Sequence, residues 1–118
     1  MELLTEEQRA ILTANGKSNE EQALHGKTCD FKPVVKLFLR EPYEAWLLTE
    51  LIPSDPNDFY GLYLADGKEP DFRYVSLSAL EAKRGRGGCT VERDIHFTAD
   101  KTLQGYAEEA RRKGRIIT

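Results

Sequence analysis

The fold of this chain is decided by residues 33–65, PVVKLFLREPYEAWLLTELIPSDPNDFYGLYLA. Three apolar, partly alternating runs lie in this stretch, at residues 33–39, 45–52 and 59–65, and such runs are typical of β-strands. The segments between them are rich in Pro, Asp and Asn, which favour turns. Because the connections are short, we expect an antiparallel meander of three strands.

Capping signals predict helices before this meander. Thr5 and Gln8 have the spacing of a capping box, in which each side chain binds the backbone N–H of the other residue. A helix should start there and stop at Asn15 and Gly16, because both residue types adopt the left-handed conformation that ends helices. We expect a short second helix to follow and to end at about Leu24.

The second half of the chain adds strands and helices to the meander. Residues 72–75 and 91–97 have strand patterns, and a capping box at Ser78 predicts a short helix between them. Asp100 is the expected N-cap of a C-terminal helix, whose core-facing residues are Leu103, Tyr106, Ala107 and Ala110. The predicted fold is an α+β domain over residues 1–118, with a mostly antiparallel sheet of four to five strands and N-terminal and C-terminal helices.

Composition limits the classes of protein to which the chain can belong. It has 118 residues, of which 40% are hydrophobic and 31% charged, a balance that suits one globular domain. The net charge of −3 provides no overall positive field for nucleic acid or an anionic membrane. No apolar run approaches the roughly 20 residues of a membrane helix, and the acidic N-terminal segment lacks the basic start of a signal peptide. We therefore expect a cytoplasmic protein without a membrane partner, with Cys29 and Cys89 as reduced thiols.

Residues 91–97, VERDIHF, hold the densest group of side chains capable of acid, base or metal chemistry. Period-2 alternation places Glu92, Asp94 and His96 on one face of the predicted strand, about 6.5 to 7 Å apart. Such a row can bind a divalent ion or let His96 act as a general base, and it can equally be a solvated face with ion pairs. The chain lacks the histidine and cysteine spacings of a structural zinc site, so we expect no metal and no cofactor.

The opposite face of this predicted strand contains an arginine among apolar residues. Ile95 and Phe97 are expected to be buried there, and Arg93 points with them toward the core. A buried guanidinium needs a carboxylate partner. Glu50 is the best candidate, because it lies within an apolar run, and we expect an Arg93–Glu50 ion pair that fixes the strand register. A ligand-binding arginine in a cleft is the alternative.

Lys83, Arg84 and Arg86 form a basic loop that continues into Gly87 and Gly88. Such a loop can contact phosphates, or it can simply end the preceding helix with cations near the negative end of its dipole. The phosphate-binding pattern G-x-x-x-x-G-K-[ST] is absent. The loop and the basic cluster at residues 111–115 would form a nucleic-acid surface if both lay on one face of the fold.

Aromatic side chains are concentrated in the second and third predicted strands. Alternation places Tyr60 on the face opposite Phe59 and Tyr63, so at least one aromatic side chain should be exposed. Exposed aromatic side chains are favoured at protein interfaces. Tyr60 and Tyr63 are therefore the candidate residues for binding another protein.

Four blocks of sequence occur in this order: PVVKLF at 33–38, AWLLTEL at 45–51, YVSLSALE at 74–81 and VERDIHF at 91–97. Together they resemble the domain of unknown function 2958 family, small bacterial proteins found largely on plasmids, integrated elements and phages. The resemblance implies an accessory role in establishment in a new host or in countering host defence. The family has no assigned catalytic residues, so the resemblance assigns none to this chain.

These observations lead to one functional hypothesis and two alternatives. The leading hypothesis is a non-enzymatic accessory protein of a mobile genetic element or phage that binds another protein, with inhibition of a host defence system as one form of this activity. One alternative is a small hydrolase that uses Glu92, Asp94 and His96 in metal-assisted or base-assisted chemistry. The other is a nucleic-acid-binding protein that uses Lys83, Arg84 and Arg86 together with the C-terminal basic cluster.

Overall fold

One antiparallel sheet of five strands forms the centre of the computed structural model, which describes residues 2–113. The strands are β1 (Val35–Arg40), β2 (Tyr43–Leu51), β3 (Asp58–Ala65), β4 (Asp71–Ser76) and β5 (Glu92–Arg93). Their order across the sheet is β4-β3-β2-β1-β5. Strands β1 to β4 are consecutive antiparallel neighbours, so the predicted meander is confirmed, and β5 pairs with the free side of β1.

Three helices cover the two faces of this sheet: α1 (Glu6–Leu24), α2 (Leu77–Ala82) and α3 (Leu103–Lys113). Helices α1 and α2 pack on one face, here called the α1 face, and α3 packs on the other, the α3 face. The predicted α+β fold, with helices at both ends of the chain, is therefore confirmed. None of the described helices combines the length and apolar character needed to cross a lipid bilayer.

The apolar runs of the meander follow from burial on both faces. Leu37, Leu48 and Phe59 pack under α1 and α2, whereas Leu47 and Leu62 pack under α3. In β2 every residue from Ala45 onward is buried. A central strand covered on both faces needs apolar side chains at successive positions, which explains why its alternation is incomplete.

Helix α1 starts where the sequence predicts, but it does not stop at Asn15 and Gly16. The Thr5 hydroxyl accepts the Gln8 N–H and the Gln8 side chain accepts the Thr5 N–H, both at 3.0 Å, so the capping box is confirmed. The helix then continues to Leu24, and the predicted break into two helices is wrong. Gly16 serves close packing instead, because a Cβ added there would lie 1.8 Å from the carbonyl oxygen of Leu51 in β2.

Residues 91–97 do not form a seven-residue strand, and that prediction is wrong. Only Glu92 and Arg93 pair with β1. The chain turns after them, because the Asp94 carboxylate accepts the His96 N–H at 2.9 Å and the Asp94 carbonyl accepts the Phe97 N–H at 3.3 Å. A local side-chain bond that favours a turn therefore overrides the period-2 pattern.

This turn also changes which side chains enter the core. Ile95 is 68% exposed, so its expected burial is wrong. Phe97 is half-buried and lies against Tyr106 of α3, with ring centroids 6.2 Å apart, rather than with Val91 under α2. Val91 itself is buried on the α1 face.

Two of the predicted helix caps are displaced by a few residues. The side chain of Ser76, rather than Ser78, caps α2 by accepting the Ala79 N–H. The Asp100 carboxylate accepts the Tyr106 hydroxyl at 3.0 Å instead of capping α3. The Thr102 hydroxyl accepts the Gly105 N–H at 3.3 Å, which is the bond that a capping side chain makes.

Candidate functional site

Strand β4 forms one edge of the sheet, and its outer side is open. Within residues 2–113 it pairs with β3 alone, and its first four residues are exposed. An edge strand presents a row of unpaired backbone N–H and C=O groups that another chain can bind. The opposite edge is formed by β5, which is only two residues long. The longer and more accessible backbone edge is therefore that of β4.

Three aromatic side chains, here called the edge aromatic cluster, lie beside this edge on the α3 face: Tyr60, Phe72 and Tyr74. The Tyr60 and Phe72 rings are stacked with centroids 6.5 Å apart, and the Tyr60 and Tyr74 rings lie 5.1 Å apart. Tyr74 is 63% exposed and Phe72 is 38% exposed. Mutual contact holds these rings in place, so the edge offers a large apolar surface at little cost in side-chain entropy.

A recess lies on each side of β4. The first, here called the α2 groove, lies on the α1 face with a volume of about 550 Å³ and includes Trp46, Val75 and Leu80 in its walls. The second, here called the Glu50 pocket, has a volume of about 500 Å³ and is bounded by Glu50, Tyr60 and Tyr74 together with parts of α1 and α3. Tyr74 contributes to both walls. Both recesses therefore open beside the same exposed strand.

Glu50 is a buried carboxylate in an unusual electrostatic environment. It is 6% exposed, and burial raises its pKa, while side-chain hydrogen bonds from Asn19 and Thr49 offset part of this rise. Among the residues that the structure describes, no cationic side chain pairs with it. The pocket therefore contains a buried carboxyl group that has no cationic partner in the described part of the protein.

The predicted ion pair between Arg93 and Glu50 is wrong. Arg93 lies on β5 and Glu50 on β2, and β1 separates these strands. Arg93 Nη1 instead donates to the backbone carbonyl of Glu2 at 2.8 Å. The sequence placed both residues near apolar neighbours, but the order of strands across the sheet decides which of them can meet.

Of the two tyrosines predicted to bind a partner, only Tyr60 reaches the candidate surface. Tyr63 is 6% exposed, and its hydroxyl donates to the carboxylate of Glu44. Burial, together with Glu44, raises the pKa of Tyr63 to about 12. The opposite facing of Tyr60 and Tyr63 is confirmed, because Tyr60 lies on the α3 face. The expectation that Tyr63 can contact a partner is wrong, because its side chain is buried in the core on the α1 face.

Phe72 and Tyr74, the most exposed members of the edge aromatic cluster, were not predicted from the sequence as binding residues. Their strand was predicted, and alternation at residues 72–75 would have placed both on one face. Nothing in that short pattern shows that β4 is an edge strand. The sequence therefore indicated that these two side chains share a face, but it did not indicate that they are accessible.

The polar row at Glu92, Asp94 and His96 does gather at one place, here called the β1–β5 cleft. This cleft has a volume of about 320 Å³, and Lys36 and Tyr43 also contribute to its walls. The buried Lys36 ammonium lies 3.7 Å from the Asp94 carboxylate and 5.8 Å from the centre of the Tyr43 ring. The turn after β5 thus brings together side chains that the sequence had placed in one strand row.

Both carboxylates of the β1–β5 cleft are already engaged. Arg40 binds Glu92 through Nε at 2.7 Å and Nη2 at 3.2 Å. Asp94 faces Lys36 and accepts the backbone N–H of His96. In the described part of the chain, no group of three or more His, Cys, Asp or Glu side chains is arranged to hold a metal ion. Glu92 and Asp94 are therefore each held in an ion pair with a cation of the cleft.

The basic loop is also bound to neighbouring groups. Lys83 Nζ lies 3.6 Å from Glu44, and Arg86 lies 3.9 Å from Glu41. Arg84 Nη1 donates to the backbone carbonyls at the end of α2, at 2.9 and 3.0 Å. These contacts are those of a helix C-terminus, and they reduce the positive charge available for phosphate groups.

The two basic groups are connected to helices that cover opposite faces of the sheet. Lys83 follows α2 on the α1 face, whereas Arg111 belongs to α3 and lies 3.3 Å from Glu69. Residues 114 and 115 of the C-terminal cluster lie outside the described residues. The loop thus follows a helix of the α1 face, whereas the described cations of α3 belong to the helix on the other face.

Comparison with known proteins identifies a family but no activity. The family model described as a protein of unknown function (DUF2958) matches residues 3–117, nearly the whole chain. No curated protein and no solved structure shows a significant match. The geometry of β4 and its two recesses is therefore the basis for inferring a function.

Proposed function

The chain belongs to the DUF2958 family, and we propose that it is a non-enzymatic protein-binding module that captures an extended segment of another protein along the edge of β4. The observation that carries this proposal is the open edge of β4, with the edge aromatic cluster beside it and a recess on each side. The edge of β4 offers backbone hydrogen-bonding groups to the segment, and the two recesses can accept the segment's side chains.

Addition of a strand would use the backbone groups of β4 that point away from β3. Hydrogen bonds along this edge supply affinity with little dependence on sequence, whereas side-chain pockets supply specificity. Successive side chains of an extended segment point to opposite faces. One set would therefore enter the α2 groove and the alternate set would lie over the edge aromatic cluster.

Tyr74 is the expected anchor of this interface. Its ring is mostly exposed, lies 5.1 Å from Tyr60 and contributes to the walls of both recesses. A few aromatic or arginine residues carry most of the binding energy at interfaces, and they cluster near the centre of the contact. Tyr74 lies near the middle of β4, so it would lie near the centre of the contact with an added strand.

The setting implied by the family resemblance completes the proposal. An accessory protein of a plasmid, integrated element or phage acts inside a new host, so its partner would be a cytoplasmic protein of that host. A component of a host defence system fits this setting, and capture of one of its extended segments would block its normal contacts. The proposal therefore has two parts, the addition of a strand to β4 and a host-defence protein as the partner that supplies it.

The binding mode can be tested without knowing the partner. A display library of random peptides of roughly ten residues covers the length of a strand such as β4. Selected peptides should shift the amide NMR signals of β4 and protect its outward N–H groups from exchange. Methylation of the peptide nitrogens whose N–H groups face β4 should abolish binding. Methylation of the alternate nitrogens, whose N–H groups point away from β4, should leave binding unchanged.

Point variants then locate the interface. Tyr74→Ala should weaken the selected peptides by at least about tenfold, equivalent to about 1.4 kcal/mol. Tyr43→Ala is the matched control, because Tyr43 is an exposed tyrosine that lines the β1–β5 cleft instead. Glu92→Ala and His96→Ala should also retain binding. Selection of no peptide that maps to β4, or equal binding by Tyr74→Ala, would contradict the proposal.

A hydrolase that uses the β1–β5 cleft is the second candidate function. The observation in its favour is that Asp94, His96 and Glu92 line one cleft beside the buried Lys36. For this function Asp94→Asn and His96→Ala should abolish the cellular phenotype while the protein remains folded, and Tyr74→Ala should have no effect. The strand-binding proposal predicts the reverse pattern for the same three variants.

A further inference from the structure

We propose that the Glu50 pocket receives the guanidinium group of an arginine on the segment that adds to β4. This inference rests on the proposed strand addition and names one side chain of the partner. It concerns Glu50, Tyr60 and Tyr74, which together line the pocket.

The charge of the pocket has one sign. Its described walls include the carboxylates of Glu50 and Glu20 but no lysine, arginine or histidine. A buried carboxylate is unfavourable unless a cation or several hydrogen bonds compensate for its lost hydration. Asn19 and Thr49 provide hydrogen bonds, but no described side chain provides the cation. A positively charged group entering the pocket would complete the compensation.

The aromatic walls favour arginine among the cations. The Tyr60 and Tyr74 rings both line the pocket and lie 5.1 Å apart at an interplanar angle of 58°. A planar guanidinium stacks on aromatic faces and binds a carboxylate through two parallel hydrogen bonds. The same sheet already contains this contact on its other face, where the Arg73 guanidinium lies 4.0 Å from the centre of the Tyr63 ring.

The distance across the sheet requires a long side chain. Glu50, Tyr60 and Tyr74 are opposite one another on β2, β3 and β4, so a strand added beyond β4 would lie three strand spacings from Glu50. At about 4.8 Å per spacing this is about 14 Å between backbones, so a group that reaches the Glu50 carboxylate must lie at the end of a long side chain. Shorter polar side chains at that position would stop above Tyr74.

The same geometry predicts a sequence pattern in the partner. The residues before and after the arginine point to the opposite face of the sheet, where the α2 groove is lined by Trp46, Val75 and Leu80. These neighbours should therefore be apolar. Peptides selected on this protein should be enriched in an apolar–arginine–apolar pattern.

A small-molecule titration tests the pocket separately from strand addition. The probes are N-acetyl-arginine amide and its neutral isostere N-acetyl-citrulline amide, each followed by NMR on the full chain. The arginine probe should give saturable shifts at Tyr60 and Tyr74 in the millimolar range, and it should lower the pKa measured for the Glu50 carboxyl group by ¹³C NMR. The citrulline probe should give neither effect.

Two isosteric variants control for charge and folding. Glu50→Gln should weaken the arginine probe by at least about tenfold, because it removes the carboxylate that the guanidinium binds. Glu92→Gln removes a carboxylate from the β1–β5 cleft instead and should leave the titration unchanged. Equal binding of both probes, or equal binding by Glu50→Gln, would overturn the inference.

The outcomes also separate this inference from the proposed function. If selected peptides bind β4 but contain no enriched arginine and the arginine probe does not bind, the pocket inference fails and strand addition stands. If the arginine probe binds but no peptide maps to β4, strand addition fails, and the arginine cannot belong to an added strand. Enrichment of arginine together with loss of those peptides' affinity in Glu50→Gln would support both.

Discussion

Replacing Gly16 by alanine tests the conclusion that α1 is held against β2 by close backbone approach. In the middle of a helix, alanine is more favourable than glycine by about 1 kcal/mol. At Gly16, however, the added Cβ would lie 1.8 Å from the Leu51 carbonyl oxygen and 3.0 Å from its carbon. Backbone atoms cannot rotate away as a side chain can, so α1 must move off the sheet. Overpacking of this kind costs up to about 3 kcal/mol, and the net destabilisation should be about 2 kcal/mol.

Gly105→Ala is the control, because Gly105 also lies in a helix, in the first turn of α3. There the nearest atoms to an added Cβ are Lys101 Cβ and Thr102 Oγ1, at 3.2 and 3.5 Å, so a shift of a few tenths of an ångström accommodates it. This variant should be unchanged or stabilised by up to about 1 kcal/mol. Urea denaturation followed by circular dichroism measures both variants. A Gly16→Ala protein as stable as the parent would refute the close-packing argument.

Two further predictions follow from burial. Phe97→Ala should lower the free energy of unfolding by about 1 to 2 kcal/mol, because Phe97 is half-buried. Phe59→Ala should lower it by about 3 to 5 kcal/mol, because Phe59 is completely buried. Equal losses of stability in urea denaturation would contradict the observed turn after β5. Burial raises the pKa of Glu50 above its ordinary 4.5, so the folded state holds this proton more tightly than the unfolded chain, and the contribution is present below pH 4.5 and lost as pH rises through the folded-state pKa. Glu50→Gln should therefore gain thermal stability relative to the parent as the pH rises above about 4.5, and a difference in Tm that is constant with pH would show that Glu50 is not perturbed.

The local elements of the fold could be predicted because local interactions form them. The capping box at Thr5 and Gln8 involves residues three positions apart, and the three runs of the meander are separated only by short turns. One failed prediction, the strand at residues 91–97, also has a local cause. The carboxylate of Asp94 binds a backbone group two residues away and replaces strand by turn, which a pattern of apolar and polar residues does not reveal.

The candidate site could be predicted only in part. Its tyrosine at position 60 was found through alternation, because facing within one strand depends on that strand alone. Tyr63 was a wrong choice because its exposure depends on the helices that cover the α1 face. Tyr74 was missed because its accessibility depends on which strand lies at the edge of the sheet.

The sequence by itself determined the α+β class, the antiparallel meander, the start of α1 and the family resemblance, since these depend on periodicity, caps and turns within short stretches. Only the tertiary structure decided that Gly16 lies against Leu51 and that Arg93 and Glu50 lie on strands that do not meet. It also formed the Glu50 pocket from side chains between positions 16 and 104. Contacts between residues so distant in sequence depend on the order of strands and the choice of faces, which no local pattern specifies.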